Sequence, residues 1–308
     1  MTYFADEERC IAYLVQQRWP QGVTCPTCGS DKVHYLANQR RWKCKTKHAR
    51  QQFSVKVGTV MEDSPIPLTQ WLPVMWMLAN CKNGISSYEV HRAFKITQKT
   101  AWFMLHRIRL AMQDDTPEKL SGQVEADETL IGGKARFMHK SRKEKTLQGG
   151  RGSAGKTIVV GLLERGRDKK KSRVQAAVVK NTDRPTLHRE VRQRLETGSE
   201  LHTDEHSGYV GLEDEYTHEV ISHAASEYVR GHVTTNGIEN FWTLLKRTIK
   251  GSYVSVEPFH LHRYLDEQAF RFNVRGGKDP DRFDHVARTL TGKRLTYQKL
   301  IGGQPTPA

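Results

Sequence analysis

The sequence has no long hydrophobic segment. Its longest uncharged apolar stretch lies around residues 71–81 and contains Pro73 and Asn80. That is far shorter than the ~20 apolar residues that cross a bilayer. The first ten residues, MTYFADEERC, are polar and acidic and lack the apolar core of a secretory signal. We therefore exclude the membrane-spanning and secreted classes and expect a cytoplasmic protein.

Acidic residues are in deficit. The 308 residues include 34 Asp+Glu against 49 Lys+Arg, a net charge of +15. Much of the basic excess lies in three segments: residues 37–56 have seven basic and no acidic residues, 132–151 have seven and one, and 165–173 have six and one. Phosphate contacts supply most non-specific affinity for nucleic acids. Three such segments favour a polyanionic partner over ordinary solvated loops.

Cysteine is scarce, with five residues in the chain, but three of them are clustered. Cys25 and Cys28 form a Cys-x2-Cys pair, and Cys44 is followed four residues later by His48. This spacing predicts a tetrahedral Zn²⁺ site of three thiolates and one imidazole, which is structural because it has no open position. The alternative is a chance cluster of thiols in a reducing compartment. His48 is the ligand that departs from the usual second Cys-x2-Cys pair.

Helical patterning follows the cysteine-rich segment. Three helices are predicted over residues 68–80, 87–94 and 98–112. Ser86 or Ser87 can cap the second helix and Thr97 the third. Apolar residues at 3–4 spacing form the buried stripe of the third helix, which leaves its polar residues on the opposite faces. These polar residues are Gln98, Lys99, His106, Arg107 and Arg109.

Two helices joined by a tight turn, the second one basic, favour docking in the major groove of DNA. We therefore predict a helix-turn-helix domain at residues 66–115, with Gln98, Lys99 and Arg107 as DNA contacts. An ordinary three-helix packing unit is the alternative.

From residue 121 the pattern changes to alternating strands. The predicted order is three strands, a helix, two strands and two long helices, over residues 123–131, 156–164, 173–180, 185–197, 200–203, 217–222, 235–250 and 258–274. This order is typical of a ribonuclease-H-like α/β core with a mixed five-stranded sheet. The predicted domains are a zinc ribbon at 20–60, the helix-turn-helix at 66–115, the ribonuclease-H-like domain at 121–275 and a C-terminal tail at 276–308.

Three acidic residues occur where such a core assembles an active site. Asp127 lies on the first strand, Asp204 ends the fourth, and Glu239 lies in the first turn of the following helix. Carboxylates that converge from separate elements can hold two Mg²⁺ (or Mn²⁺) ions, which stabilise the attacking and leaving oxygens of a phosphodiester displacement. Lys246 and Lys250 follow two and three helical turns later and are predicted to bind the DNA strand.

Neighbouring acids have the same chemistry as the three candidates. Glu125 shares a strand face with Asp127, so we expect it to support the site. Glu128 faces the other side of the strand, and we expect no role for it.

Several segments resemble bacterial insertion-sequence transposases of the zinc-ribbon, ISXO type, which are related to the Merlin superfamily. The likeness spans roughly residues 20–275 and is carried by CPTCGS, NCKNGISSYEV, VEADETLIGGK, HTDEHSGY and TNGIENFWTLLKRTIKGSYVSV. Asp127, Asp204 and Glu239 match the family's catalytic acids, and Lys246 matches its following basic residue. In parts of the family the third position is Asn, which leaves Asn240 as the alternative to Glu239.

The resemblance implies a DDE-type enzyme that binds the terminal inverted repeats of an insertion sequence and catalyses Mg²⁺-dependent strand cleavage and strand transfer. The expected partners are double-stranded DNA, both the repeats and the target, and further copies of the chain on that DNA. We expect association with a bacterial nucleoid. A non-catalytic DNA-binding regulator derived from a transposase is the alternative, and a nuclease acting on RNA hybrids is the third option.

Overall fold

The structure is a computed structural model that describes residues 2–115, 117–133, 155–166, 171–221 and 234–302. The chain forms two compact units: residues Met1–Gln113 with Gly277–Ala308, here called the ribbon unit, and Asp114–Gly276, here called the sheet unit. Of the basic segments, 132–151 lies outside the described residues from residue 134 onward, and 165–173 lies outside them at residues 167–170. No helix of the described part is long and apolar enough to span a membrane.

The helices are α1 (Glu7–Arg18), α2 (Leu68–Asn80), α3 (Ser87–Phe94), α4 (Gln98–Met112), α5 (Arg184–Arg194), α6 (Asn236–Thr248), α7 (Leu261–Asn273), α8 (Asp279–Arg288) and α9 (Tyr297–Leu300). The strands are β1 (Val33–Leu36), β2 (Arg41–Cys44), β3 (Gln52–Phe53), β4 (Gln123–Ile131), β5 (Thr157–Glu164), β6 (Arg173–Val179), β7 (Glu200–Thr203) and β8 (Thr217–Val220). A π-helical turn, Ile249–Tyr253, extends α6.

The ribbon unit contains a small antiparallel sheet in the order β1-β2-β3. Strand β2 alternates strictly, with Trp42 and Cys44 buried and Arg41 and Lys43 exposed. Trp42 stacks on Phe53 of β3 with 6.0 Å between ring centroids. The alternation therefore directs the aromatic and thiol groups inward and leaves basic side chains of segment 37–56 in solvent.

The three helices predicted between residues 66 and 112 are present with the expected bounds. Ser86 and Glu89 form a reciprocal capping box at the start of α3. The Thr97 hydroxyl accepts from the Thr100 amide at 3.1 Å and caps α4. Capping residues therefore located the starts of α3 and α4, whereas α2, which has no side-chain cap, was located from its apolar pattern.

The C-terminal residues differ from the expected tail. They belong to the ribbon unit, where α8 packs against α1 and α2. Phe283 of α8 is buried and stacks on Tyr13 at 5.3 Å, and the Tyr13 hydroxyl donates to Asp284 at 2.6 Å. These residues supply a second layer over the N-terminal helices.

That second layer also corrects the expectation for α4. His106, Arg107 and Arg109 were expected to face outward, but all three are buried. The Thr289 hydroxyl donates to the carbonyl of Ala111 at 2.7 Å, so C-terminal residues cover the end of α4. A helix packed on two sides has no fully exposed face in its middle, whatever its polar pattern.

The sheet unit is a five-stranded mixed sheet in the order β6-β5-β4-β7-β8. Strands β6, β5 and β4 are antiparallel neighbours, whereas β4, β7 and β8 run parallel. Helices α6 and α7 cover one face and α5 covers the other, each over its own apolar cluster. This is a ribonuclease-H-like α/β architecture, as predicted. Helix α5 ends at Arg194, three residues earlier than expected, because Leu195 adopts extended backbone and bridges to Leu120.

Candidate functional site

Four side chains of the ribbon unit come together as the sequence predicted. One ligand atom from each of Cys25, Cys28, Cys44 and His48 lies within 4.8 Å of the others. Cys25 Sγ is 3.4 Å from His48 Nε2, and Cys28 Sγ is 3.7 Å from Cys44 Sγ. Three sulfurs and one imidazole nitrogen fit the tetrahedral coordination of structural Zn²⁺.

Local backbone geometry builds this cluster. Gly29 has φ +74°, and its amide donates to the carbonyl of Cys25 at 2.8 Å, which closes the turn between the first two ligands. The third ligand, Cys44, is held at the end of β2. Burial raises the pKa of the Cys25 thiol, but hydrogen bonds from the backbone N–H groups of Cys28 and Thr27, together with those from the Cys28 and Cys44 thiols, lower that pKa to about 7. A thiolate, which is the metal-binding form, is therefore favoured there.

In the sheet unit, Asp127 and Asp204 occupy matching positions on adjacent parallel strands. Glu125 of β4 pairs with His202 of β7, and the two aspartates lie two residues further along each chain. Asp127 Oδ2 accepts from Trp242 Nε1 at 2.9 Å, and its Oδ1 accepts from the Glu128 amide at 2.8 Å. Asp204 Oδ1 accepts from the His206 amide at 3.1 Å.

The electrostatics of Asp127 reflect crowded carboxylates. Burial, the negative charge of Glu128 and, less strongly, that of Asp204 together raise the pKa of Asp127 to about 7, against the lowering effect of hydrogen bonds from the Glu128 amide and the Trp242 indole. Burial also raises the pKa of Glu128. A cation bound among these groups would relieve both the repulsion and the cost of burial.

Glu128 faces the α5 side of the sheet, as alternation predicted, but it contributes to the charge of this region. Its Oε2 accepts from the Tyr209 hydroxyl at 2.8 Å, and its Oε1 is 3.6 Å from His206 Nε2. Its negative charge is one of the causes that raise the pKa of Asp127. Neighbouring residues on one strand remain within electrostatic reach even though they point to opposite faces.

Glu239 lies exposed in the first turn of α6, and its Oε1 accepts from the Thr235 hydroxyl at 3.2 Å. Asn240 is also exposed, Lys246 is half-buried, and Lys250 is exposed on the π-helical turn. Across the described residues, the Cys/His cluster is the group of three or more metal-ligating side chains that lie close enough to hold an ion. Asp127, Asp204 and Glu239 do not form such a group there.

Glu125 has a supporting contact that the sequence did not specify. It is 2% exposed, its Oε1 accepts from Arg165 Nε at 2.7 Å, and its Oε2 accepts from the Ile238 amide at 2.8 Å. The side chain of Thr235, the residue before α6, makes no capping hydrogen bond. Glu125 therefore acts as a long-range cap that joins β4 to the start of the helix carrying Glu239.

The three residues predicted to contact DNA in the ribbon unit differ in availability. Lys99 is exposed, with its Nζ 4.4 Å from the centre of the Tyr297 ring. Gln98 is half-buried and donates to the Ser87 hydroxyl at 2.8 Å. Arg107 is 5% exposed, lies against the rings of Trp71 and Phe103, and donates to the carbonyl of Glu62. Its predicted outward orientation was wrong, because aromatic packing retains the guanidinium inside the unit.

The five-stranded sheet and the Cys/His cluster together define a ribonuclease-H-like α/β protein with a zinc ribbon. Comparison with known families identifies the family to which it belongs. Residues 119–273 match the family model of the ISXO2-like transposase domain, and residues 5–46 match that of the transposase zinc-ribbon domain. The chain belongs to the ISXO2-like transposase family.

Two relatives are consistent with that assignment. An uncharacterized protein in transposable element ISH50 of Halobacterium salinarum is 28% identical over 256 residues, which cover 79% of this chain and 83% of the relative. An uncharacterized transposase-like protein of Haemophilus influenzae is 32% identical over 104 residues, 33% of this chain and 83% of the relative.

Proposed function

We propose that this transposase is a DDE-type enzyme that binds the terminal inverted repeats of an insertion sequence and catalyses metal-dependent DNA cleavage and strand transfer. The observation that carries the proposal is the pairing of Asp127 and Asp204. Asp127 lies on β4, Asp204 directly follows the parallel neighbouring strand β7, and the negative charge of Asp204 contributes to the raised pKa of Asp127. Acids brought together by neighbouring strands of a buried sheet can hold the metal ions of phosphodiester chemistry.

Asp127, Asp204 and Glu239 would hold Mg²⁺ or Mn²⁺. Bound there, the metal supplies Lewis-acid stabilisation of the attacking and leaving oxygens. At ~100° per residue, Glu239 lies about 60° around α6 from Trp242, the residue that contacts Asp127, whereas Asn240 lies about 160° away. We therefore assign the third position to Glu239.

The remaining predicted residues bind DNA in this proposal. Lys246 and Lys250 follow Glu239 on the same side of the helix and would bind the phosphates of the strand being cut. In the ribbon unit, Lys99, Gln98 and the exposed basic residues of segment 37–56 would bind the element ends. Zn²⁺ holds the ribbon in shape, and copies of the chain assemble on the two ends.

The test is a cleavage assay on a labelled DNA duplex that carries the terminal repeat. The sequence of the repeat is taken from the DNA on either side of the coding region. With Mg²⁺, the wild-type protein should nick this duplex. Asp204→Asn should bind the duplex but fail to cut it. Asp214→Asn is the matched control, because Asp214 is an exposed acid of the same unit, ten residues away.

Three results would contradict the proposal. Cleavage by Asp204→Asn at the wild-type rate would remove Asp204 from the active site. Binding by wild-type protein without cleavage in Mg²⁺ or Mn²⁺ would identify a DNA-binding regulator. Preferred cleavage of an RNA–DNA hybrid would instead indicate a hybrid-specific nuclease.

A further inference from the structure

The carboxylate of Asp127 is held by two donors from different elements. Its Oδ1 accepts from the backbone amide of Glu128, and its Oδ2 accepts from the indole N–H of Trp242 on α6. Trp242 is 4% exposed. A donor on each oxygen fixes the rotation of the carboxyl group, and each oxygen keeps a lone pair for a cation.

The indole reaches Asp127 because the neighbouring strand leaves room for it. Gly161 of β5 is the direct pairing partner of Asp127. A Cβ atom at position 161 would lie 2.6 Å and 2.7 Å from Cη2 and Cζ2 of the Trp242 ring. Any side chain there would displace the ring, so the position of the indole depends on this glycine.

The same contact sets the position of α6. Glu239 precedes Trp242 by three residues, which places it one turn away and about 60° around the helix. A hydrogen bond between Trp242 and Asp127 therefore fixes the helix that carries the third acid against the strand that carries the first.

We propose that Trp242 is a positioning residue of the active site. Its indole N–H holds the Asp127 carboxylate in the orientation that binds the metal, and Gly161 is the gap that admits the ring. This inference rests on the proposed function, because it takes Asp127 as a metal ligand. Outer partners of metal ligands commonly set metal affinity in this way.

The first test compares Trp242→Phe with Trp76→Phe in full-length protein. Both variants lose an indole, but Trp76 lies on α2 of the ribbon unit and packs against Phe283. The readout is the Mg²⁺ concentration that half-saturates duplex cleavage. Trp242→Phe should raise it roughly tenfold or more, whereas Trp76→Phe should leave it unchanged. A role in packing alone would lower thermal stability without moving this concentration.

The second test detects metal binding directly, and its main measurement is made on the wild-type protein. In wild-type protein labelled with ¹⁵N-tryptophan, Mg²⁺ alone should shift the indole resonance of Trp242 and leave that of Trp76 in place. Trp242→Phe identifies the signal, and Asp127→Asn should abolish the shift. Gly161→Ala should also raise the half-saturating Mg²⁺ concentration, because it displaces the ring while the N–H is retained.

The outcomes separate this inference from the proposed function. If cleavage needs both Asp127 and Mg²⁺ but the Trp242 indole resonance does not respond to Mg²⁺, the positioning role is overturned. Equal half-saturation in Trp242→Phe and Trp76→Phe would overturn it as well. If Asp127→Asn cleaves like wild type, the metal site itself is misplaced, and the proposed function fails first.

Discussion

The two candidate metal centres are built in opposite ways. The Cys/His cluster takes its ligands from 24 consecutive residues, 25–48, and brings four ligand atoms within 4.8 Å of one another. The acidic site takes Asp127, Asp204 and Glu239 from two strands and a helix spread over more than a hundred residues. A short hairpin with few apolar residues depends on its ion, whereas a sheet with two apolar clusters positions its acids by protein contacts.

The largest expected effect is the loss of Zn²⁺. Stripping it with a strong chelator should unfold β1–β3, because structural zinc supplies on the order of 10 kcal/mol to small zinc-binding folds. Hydrogen exchange of residues 33–53 and thiol reactivity measure this, and β4–β8 should keep their protection. Cys44→Ser should have the same effect, whereas Cys81→Ser should retain one zinc per chain. A protected ribbon without zinc would mean that packing of Trp42 and Phe53 is sufficient.

A second effect concerns the support of the acidic site. Glu125→Gln should destabilise β4 and the start of α6 by about 3–5 kcal/mol, because Arg165 then loses its buried partner. Hydrogen exchange of residues 123–131 and 236–248 measures the change. Glu219→Gln, an exposed position on β8, is the control. Unchanged exchange at α6 would show that Glu125 is not its cap.

These two sites also show how far the sequence leads. All four cluster residues were found from spacing, because their ligand geometry is local. The neighbouring strands that carry Asp127 and precede Asp204 followed from the predicted strand order, and the catalytic role of these two acids stays a prediction. The contacts of Glu125 with Ile238 and of Trp242 with Asp127 join residues more than 110 positions apart, and no periodicity encodes them.

Burial of the polar residues of α4 was missed for the same kind of reason. Arg107 has the position of an outward residue on an amphipathic helix, but packing against Trp71 and Phe103 buries it and overrides the pattern. The burial lowers the pKa of its guanidinium to about 10. A helix pattern predicts one buried face and cannot show that a distant segment covers another.

The fourth zinc ligand gives a smaller effect. Mutation of a residue that only contacts a metal ligand commonly lowers metal affinity by roughly 10–100-fold. His48→Ala removes a ligand itself, so it should lower zinc affinity by at least that much. His48→Cys should restore most of it, because a thiolate can complete the tetrahedron. Competition with a chromophoric chelator measures both affinities. His34→Ala, an exposed position on β1, is the control, and equal affinity in His34→Ala and His48→Ala would exclude His48 as a ligand.

A close approach in the sheet unit predicts a smaller effect again. At Gly237 a Cβ atom would lie 2.9 Å from both carboxylate oxygens of Glu125. Overpacking in Gly237→Ala should destabilise α6 by about 1–3 kcal/mol. The higher helix propensity of alanine should offset roughly 1 kcal/mol of that destabilisation. Gly251→Ala, with no atom within 4 Å of its Cβ, is the control. If hydrogen exchange shows that α6 is more stable in Gly237→Ala than in the wild-type protein, the Glu125 carboxylate moves away from the added methyl group at little cost.

The smallest effect is expected from the ion of the acidic site. Removing Mg²⁺ should change the free energy of unfolding of the sheet unit by about 1 kcal/mol or less, because an ion at up to about fourfold its dissociation constant stabilises the folded state by only RT ln 5. The carboxylates keep their places through the indole of Trp242 and the backbone amides of Glu128 and His206. Hydrogen exchange of residues 123–131 with and without Mg²⁺ measures this change. The loss of protection of residues 33–53 on removal of Zn²⁺ is the comparison within the same protein. Loss of protection in β4 on the scale of the ribbon would mean that both centres depend on their ions for folding, and the contrast between them would disappear.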